Sequence, residues 1–204
     1  MRHLSTSLLG AALVTLAPLA ARADKPHRVE DVPALEVLPG ASREISHVTS
    51  ASRDTALMGW ALRSDDRVTV LDRVNVRHLE PAQVAPPPSL VTADLSFISL
   101  SLVLPALIRC AAPDADFVLL VKPQFEVGKG HVGAGGVVRD PGLRAAAVSA
   151  VATAAADNGL GVAGVTASPL PGPAGNVEYF LWLRSGAPPL EPDRLAQVIA
   201  EGPQ

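Results

Sequence analysis

The sequence predicts an α/β fold with a mostly parallel sheet, because short apolar runs of strand length alternate with longer runs of helix length. Residues 117–121, for example, are uninterruptedly apolar, whereas residues 143–157 are Ala-rich and long enough for four helical turns. Apolar strands of this kind are typical of parallel sheets that helices cover on both faces. A chain of 204 residues has room for one medium-sized domain of this class.

The predicted strands follow one another at regular intervals. Val68 and Val70 suit a pleated surface, and later runs are rich in Val, Leu and Phe. The Pro/Gly segment 169–175 could connect the last two strands as an antiparallel hairpin. The strands are expected at residues 67–71, 90–96, 117–121, 162–167 and 177–183.

The predicted helices supply the crossovers between these strands. The helix at 143–157 ends before Asn158 and Gly159, which resemble a C-terminal cap. Residues 128–136 are rich in glycine and are expected to form a loop. The helices are expected at residues 56–63, 98–112, 143–157 and 192–200.

The first 55 residues are predicted to be an atypical leader without regular structure. Residues 25–55 mix charges, prolines and hydroxyl side chains without a sustained period. Arg2 and His3 precede an apolar stretch at 8–21, which has the outline of a secretory signal. Pro18 interrupts that stretch below the roughly 18 apolar residues that a spanning helix needs, so no membrane span is predicted.

Charge and cysteine content exclude several classes of site. The net charge is −3 and the pI is about 5.9, which counts against strong RNA binding by this chain alone. Cys110 is the single cysteine, so an internal disulfide and a cysteine-based metal site are excluded, and a buried inert thiol is expected. The five histidines lack metal-ligand spacing, and no metal is predicted.

Three charged residues lie at predicted strand ends, where open α/β sheets bind their ligands. They are Asp94, Lys122 and Glu178. Each alone has a simpler interpretation: Asp94 as the cap of a helix starting near residue 98, Lys122 as a solvated strand end, Glu178 as an exposed strand residue. Their occurrence together favours a functional site.

Three blocks of sequence resemble the TlyA group of haemolysin-like, FtsJ-like ribosomal RNA 2′-O-ribose methyltransferases. They read ADLSFISL at 93–100, LVKPQFEVGKG at 120–130 and SPLPGPAGNVEYFL at 168–181. The resemblance runs from about residue 57 to 203. It implies that residues 56–204 form a partial FtsJ-like methyltransferase domain with a Rossmann-like, S-adenosylmethionine-dependent fold whose first strands are missing or altered.

The resemblance also implies site residues, a cofactor and a substrate. Asp94, Lys122 and Glu178 match the last three members of the family's Lys-Asp-Lys-Glu tetrad. The cofactor is S-adenosylmethionine, and the substrate is ribosomal RNA of the 16S/23S cytidine type, alone or in ribosomal subunits, rather than DNA. The residues expected near the cofactor are Asn75, Val76, Asp94 and Leu95.

Methyl transfer to a ribose hydroxyl needs alignment, help with the departing proton and a suitable charge environment. A lysine between two carboxylates could meet these needs. Burial favours the neutral amine and carboxylates favour the charged form, so the sequence leaves open whether Lys122 acts as a base or as an orienting group.

The chain also departs from the family pattern. The S4-type RNA-binding domain, the first tetrad lysine and the glycine-rich cofactor loop are not recognisable, which fits a shifted reading frame or a decayed copy. We therefore expect a cytoplasmic enzyme with weak or absent methyl transfer. The alternatives are a non-catalytic remnant that binds a partner and an exported haemolysin-like protein.

Overall fold

The sheet of this protein is mixed. The computed structural model describes residues 9–16, 44–52, 63–172 and 174–203. Within these ranges seven strands form one sheet in the order β3-β2-β1-β4-β5-β7-β6. Neighbouring strands from β3 to β5 are parallel, and β7 is antiparallel to β5 and β6, as predicted. The strands are β1 (Leu9–Leu16), β2 (Glu44–Ser52), β3 (Val68–Asp72), β4 (Leu90–Asp94), β5 (Asp116–Val121), β6 (Leu160–Ala167) and β7 (Tyr179–Ser185).

The α-helices of the described ranges are α1 (Leu104–Cys110), α2 (Pro123–Glu126), α3 (Pro141–Asp157) and α4 (Pro192–Glu201). The helix predicted at 98–112 is shorter than expected, because Ser99 caps a separate 3₁₀ turn, Leu100–Leu102, before α1 begins. Residues 56–62 of the first predicted helix lie outside the described residues. In the part of the chain that the structure describes, no helix is both long and apolar enough to cross a bilayer.

The prediction that the first 55 residues lack regular structure is wrong for β1 and β2. β1 pairs with β2 on one side and with β4 on the other, so it is an inner strand of the sheet. On β2, Thr49 and Ala51 are buried. Residues 9–16 belong to the apolar stretch interpreted above as the outline of a secretory signal, and such a run is equally typical of an inner strand of a parallel sheet. The first strands were expected to be missing or altered. Instead, β1 and β2 precede the predicted boundary at residue 56 and belong to the same sheet as the later strands.

The start of the last strand also differs from the prediction. Residues 177 and 178 precede β7, and the Glu178 carbonyl accepts a hydrogen bond from the Ser168 amide at 2.8 Å, next to the last pair between β6 and β7. Asn176 is buried, and its side chain accepts from the Val138 amide and donates to the Gly136 carbonyl, both at 2.9 Å. These contacts fix the segment 176–178 in place just before the strand begins.

The core consists mainly of small and medium aliphatic side chains, in keeping with an aromatic content of 3%. Cys110 is 1% exposed, and burial raises the pKa of its thiol, in agreement with an inert role. Leu119, on β5, is fully buried. The core therefore depends on close packing of aliphatic groups across the middle of the sheet.

Truncating Leu119 to alanine is expected to lower the free energy of unfolding by about 2–5 kcal/mol, because the surrounding strands leave a cavity. Leu170 is 69% exposed, and its truncation is expected to change stability by less than about 0.5 kcal/mol. Urea unfolding of both variants measures the difference. Equal losses would contradict this description of the core.

Candidate active site

Strand directions bring three chain segments to one edge of the sheet. β4 and β5 are parallel neighbours in which Asp94 lies opposite Leu120. β7 runs the other way, and its first residue, Tyr179, pairs with Val121 at the end of β5. The end of β4, the residue after β5 and the residue before β7 therefore meet at the carboxyl edge of the parallel strands.

The three predicted residues contact one another at this edge. The Lys122 Nζ lies 2.7 Å from Asp94 Oδ1 and 3.9 Å from Glu178 Oε1. The contact with Asp94 is an ion pair without the alignment of a good hydrogen bond. Lys122 is 7% exposed and Glu178 5%, whereas the Asp94 side chain is 40% exposed.

This geometry contradicts the simpler interpretation of each residue. Ser99, not Asp94, caps the 3₁₀ turn that precedes α1. Lys122 is buried rather than solvated, and Glu178 is buried rather than exposed. The charge of the buried amine is compensated by the two carboxylates that lie beside it.

The electrostatics of Glu178 reflect opposing effects. Burial raises the pKa of its carboxyl, while the Lys122 charge and a hydrogen bond from Gln124 lower the pKa and the Asp94 charge raises it. The Gln124 Nε2 donates to Glu178 Oε1 at 3.3 Å. The net pKa is above the ordinary value, so this carboxylate holds a proton more readily than an exposed glutamate does.

Gly172 lies against the Glu178 carboxylate. A Cβ on this residue would be 2.6 Å from Glu178 Oε1. The Gly172 amide donates to the Asn176 carbonyl at 2.8 Å, which folds the loop back toward β7. Only a glycine therefore leaves Glu178 undisturbed at this position.

The residues predicted near a cofactor lie on both sides of β1. Asn75 and Val76 follow β3, which β2 and β1 separate from Asp94 and Leu95 at the end of β4. β1 and β4 are parallel, but the order in which strands are added to the sheet reverses between them, and such switch points form ligand crevices. Residues 17–43, after β1, lie outside the described residues.

Their side chains differ in what they could contact. Asn75 is exposed, and its Oδ1 accepts from the Arg77 amide at 3.2 Å in a short cap. Val76 and Leu95 are 6% and 9% exposed, with their side chains in the core. Val76 and Leu95 would therefore meet a ligand through their backbone atoms.

The sequence did not single out the aromatic residues beside this site. Phe97 is 82% exposed, and its ring centroid lies 5.0 Å from that of Phe125. Its φ of 63° is unusual for a bulky residue, and such strain is concentrated at functional sites. The sequence feature that could have indicated it is an aromatic residue three positions after Asp94, the last residue of β4. Among the described residues, no three His, Cys, Asp or Glu side chains form a potential metal-binding cluster.

Comparison with protein families and curated proteins gives the following similarities. The FtsJ-like methyltransferase model matches residues 36–185. The 16S/23S rRNA (cytidine-2′-O)-methyltransferase TlyA of Mycobacterium tuberculosis is 56% identical over 167 residues, which cover 79% of this chain and 62% of that protein. Hemolysin A of Brachyspira hyodysenteriae is 32% identical over 59% of this chain and 51% of its own length. The chain thus spans less than two thirds of the length of these relatives.

Solved structures show the same fold. A proposed hemolysin from Streptococcus thermophilus has a TM-score of 0.77 and 30% identity, covering 96% of this chain and 67% of that chain. One from Lactococcus lactis has a TM-score of 0.72 and 34% identity, covering 77% and 76%. A Burkholderia thailandensis N1-methyltransferase with bound S-adenosylhomocysteine has a TM-score of 0.50 at 14% identity, covering 87% and 72%. The predicted methyltransferase fold is confirmed.

Proposed function

Because this chain belongs to the FtsJ-like methyltransferase family, we propose that it transfers a methyl group from S-adenosylmethionine to a ribose 2′-hydroxyl of ribosomal RNA. The cluster of Lys122, Asp94 and Glu178 carries this proposal, since it places a buried amine between two carboxylates at the carboxyl edge of the sheet. Cytidines of 16S and 23S ribosomal RNA are the proposed targets, as for the 56% identical relative.

The proposed chemistry follows from the charges. S-adenosylmethionine supplies a methyl group on a positively charged sulfur, which keeps the electron pair of the broken carbon–sulfur bond. Lys122 donates a hydrogen bond to the ribose hydroxyl and orients its oxygen toward the methyl carbon. The hydroxyl proton passes to Glu178, whose raised pKa makes it a better acceptor than an exposed glutamate. Asp94 balances the charge of Lys122 throughout.

The remaining residues of the proposed site lie along the same carboxyl edge of the sheet. Asn75 and the Val76 backbone would hold the adenine, and Asp94 with the Leu95 backbone would border the methionine part across the switch point. Phe97 exposes an aromatic face on which a nucleotide base can stack. The roles near the cofactor are what the family resemblance implies, whereas the role of Phe97 follows from its exposure.

Methyl transfer tests the function directly. The chain is incubated with tritiated S-adenosylmethionine and either ribosomal subunits or protein-free rRNA, which also tests whether a subunit is the partner. Nuclease digestion and mass spectrometry are expected to recover 2′-O-methylcytidine. Methylation of a base, or no more label than with a Lys122→Met variant, would overturn the proposal.

Affinity for S-adenosylmethionine tests whether the chain is impaired. We expect a dissociation constant weaker than about 1 μM, because the sequence has no recognisable glycine-rich cofactor loop. Isothermal titration calorimetry measures this value, and a dissociation constant of about 1 μM or tighter would contradict it. Failure to bind the cofactor at millimolar concentration would favour a non-catalytic remnant.

Adding one methyl group beside Glu178 is expected to lower activity more than stability. A Gly172→Ala side chain would displace the end of a flexible carboxylate, not backbone, so we expect a rate loss of about tenfold or more and a stability change within about 1 kcal/mol. Gly164→Ala is the matched control, because its nearest contact, with Trp182, would be an ordinary 3.5 Å. Equal rates for both variants would count against the proposed role of Glu178.

We also propose a cytoplasmic location. Cleavage near Ala23, expected for export, would remove β1 from between β2 and β4. Mass spectrometry of the mature amino terminus distinguishes the two. Recovery of a terminus near residue 23 from outside the cell would favour the exported haemolysin-like alternative.

A further inference from the structure

The carboxylate of Glu126 joins the segment after β5 to the segment after β4. Its Oε2 accepts a hydrogen bond from Ser99 Oγ at 2.6 Å, and its Oε1 accepts one from the Leu100 amide at 2.8 Å. Both oxygens are thus engaged with residues 26 and 27 positions away in sequence. Contacts of this number and length indicate a specific structural connection rather than a chance approach.

Glu126 lies on the same turn as Lys122. The Phe125 amide donates to the Lys122 carbonyl at 2.9 Å, and the Val127 amide donates to the Pro123 carbonyl at 3.1 Å. These bonds make residues 122–127 one compact unit, so a shift of Glu126 would move the backbone of Lys122.

The sheet alone does not set the position of Lys122. The parallel register between β4 and β5 extends to the pair Asp94 and Leu120, and Lys122 lies beyond it. Ser99 is connected to Asp94 through a turn that includes Phe97 at its positive φ. The Phe97–Phe125 ring contact adds an apolar connection next to the carboxylate. The β4–β5 pairing, the segment from Asp94 to Leu100 and the Glu126 carboxylate thus form a closed circuit of contacts that includes the backbone of Lys122.

We propose that Glu126 is a positioning residue that fixes the distance between the Lys122 amine and the Asp94 carboxylate. It acts through Ser99 and Leu100 on one side and through α2 on the other. Its effect on catalysis rests on the proposed function, whereas its effect on the geometry of Lys122 does not.

The environment of Glu126 is consistent with this role. Burial raises the pKa of its carboxyl, and the hydrogen bonds from Ser99 and Leu100 lower it. The two donors therefore offset part of the cost of holding a carboxylate away from water. Replacing the carboxylate by an amide removes acceptor capacity while keeping its volume.

Exchange of the Lys122 ammonium protons with water tests the geometry without requiring activity. The chain has three lysines, so the ¹⁵N signal of Lys122 can be assigned by its absence in Lys122→Met. Glu126→Gln is expected to speed this exchange about tenfold, because the amine would leave its ion pair more often. Glu191→Gln removes an exposed carboxylate at the start of α4 and is expected to leave the exchange unchanged.

Kinetics separate positioning from cofactor binding. Glu126→Gln is expected to lower kcat about tenfold or more, with the KM for S-adenosylmethionine changed less than about threefold. Ser99→Ala, a milder variant in case Glu126→Gln folds poorly, is expected to lower kcat in the same direction. The double variant is expected to lower kcat by less than the product of the two single losses, because both changes remove one shared contact.

The outcomes are distinguishable. Faster exchange in Glu126→Gln supports the proposal even if the wild-type chain transfers no methyl group, a result that would overturn only the proposed function. A lower unfolding midpoint with unchanged exchange would reduce Glu126 to a stabilising residue and overturn the proposal. Equal acceleration in Glu191→Gln would overturn it as well.

Discussion

Replacing Lys122 by methionine is expected to lower the rate of methyl transfer by about 10²- to 10⁴-fold, because the ribose hydroxyl would lose its orienting donor and Glu178, the proposed proton acceptor, would lose the neighbouring cation. Methionine has a similar length and no charge, so the hydroxyl would lose its donor while the apolar stem stays packed. The 2.7 Å contact with Asp94 and the 3.9 Å approach to Glu178 both disappear. Initial rates with saturating RNA and millimolar S-adenosylmethionine measure the effect.

Two further variants show whether this loss comes from the position of the Lys122 amine or from its charge alone. Lys122→Arg keeps the charge but replaces a compact ammonium by a planar fork, so only partial recovery is expected. Arg194→Gln removes one positive charge from the exposed face of α4, where Arg194 contacts Gln197, and is expected to leave the rate unchanged. If Lys122→Met kept a rate within about threefold of wild type, its assignment to the reaction would fail.

Much of the site could be predicted from sequence, because a charge at the end of an apolar run is a local pattern. The runs before Asp94 and Lys122 are buried strands, and parallel strands share one carboxyl edge. Glu178 joins them because β7 is antiparallel, which the Pro/Gly hairpin segment indicated. Their mutual approach therefore follows from topology.

The features that sequence did not predict depend on contacts between distant residues. β1 owes its place to two partner strands, one of which begins at Leu90. The Glu126–Ser99 hydrogen bond joins residues 27 positions apart. The backbone of Phe97 is held at a positive φ that no local preference favours. None of these has a periodic signature along the chain.

Lys122→Met is also expected to lower the free energy of unfolding at neutral pH by about 3 kcal/mol, near the lower end of the range for breaking a buried ion pair. The lower end applies because the Asp94 side chain is 40% exposed, so water can hydrate the carboxylate from its outer side. Glu178, in contrast, would stay buried without its cation. Urea unfolding at neutral and at acidic pH measures this cost.

The pH dependence identifies Glu178 as the cause. Its pKa is already raised by burial and lowered by Lys122, so removing the lysine raises it further. A carboxyl with a raised folded-state pKa contributes stability that is present below its unfolded pKa, about 4.3, and is lost as pH rises through the folded value. The difference between Lys122→Met and wild type is therefore expected to be small in acid and to grow toward neutral pH.

Glu178→Gln in the Lys122→Met background is expected to restore most of the lost stability at neutral pH, because a neutral amide needs no cation. It should also remove the additional pH dependence, since the group that titrates is gone. Glu191→Gln in the same background provides the matched control, as that carboxylate is exposed at the start of α4. If Glu191→Gln restored stability equally, general charge balance rather than the buried Lys122–Glu178 contact would account for the effect.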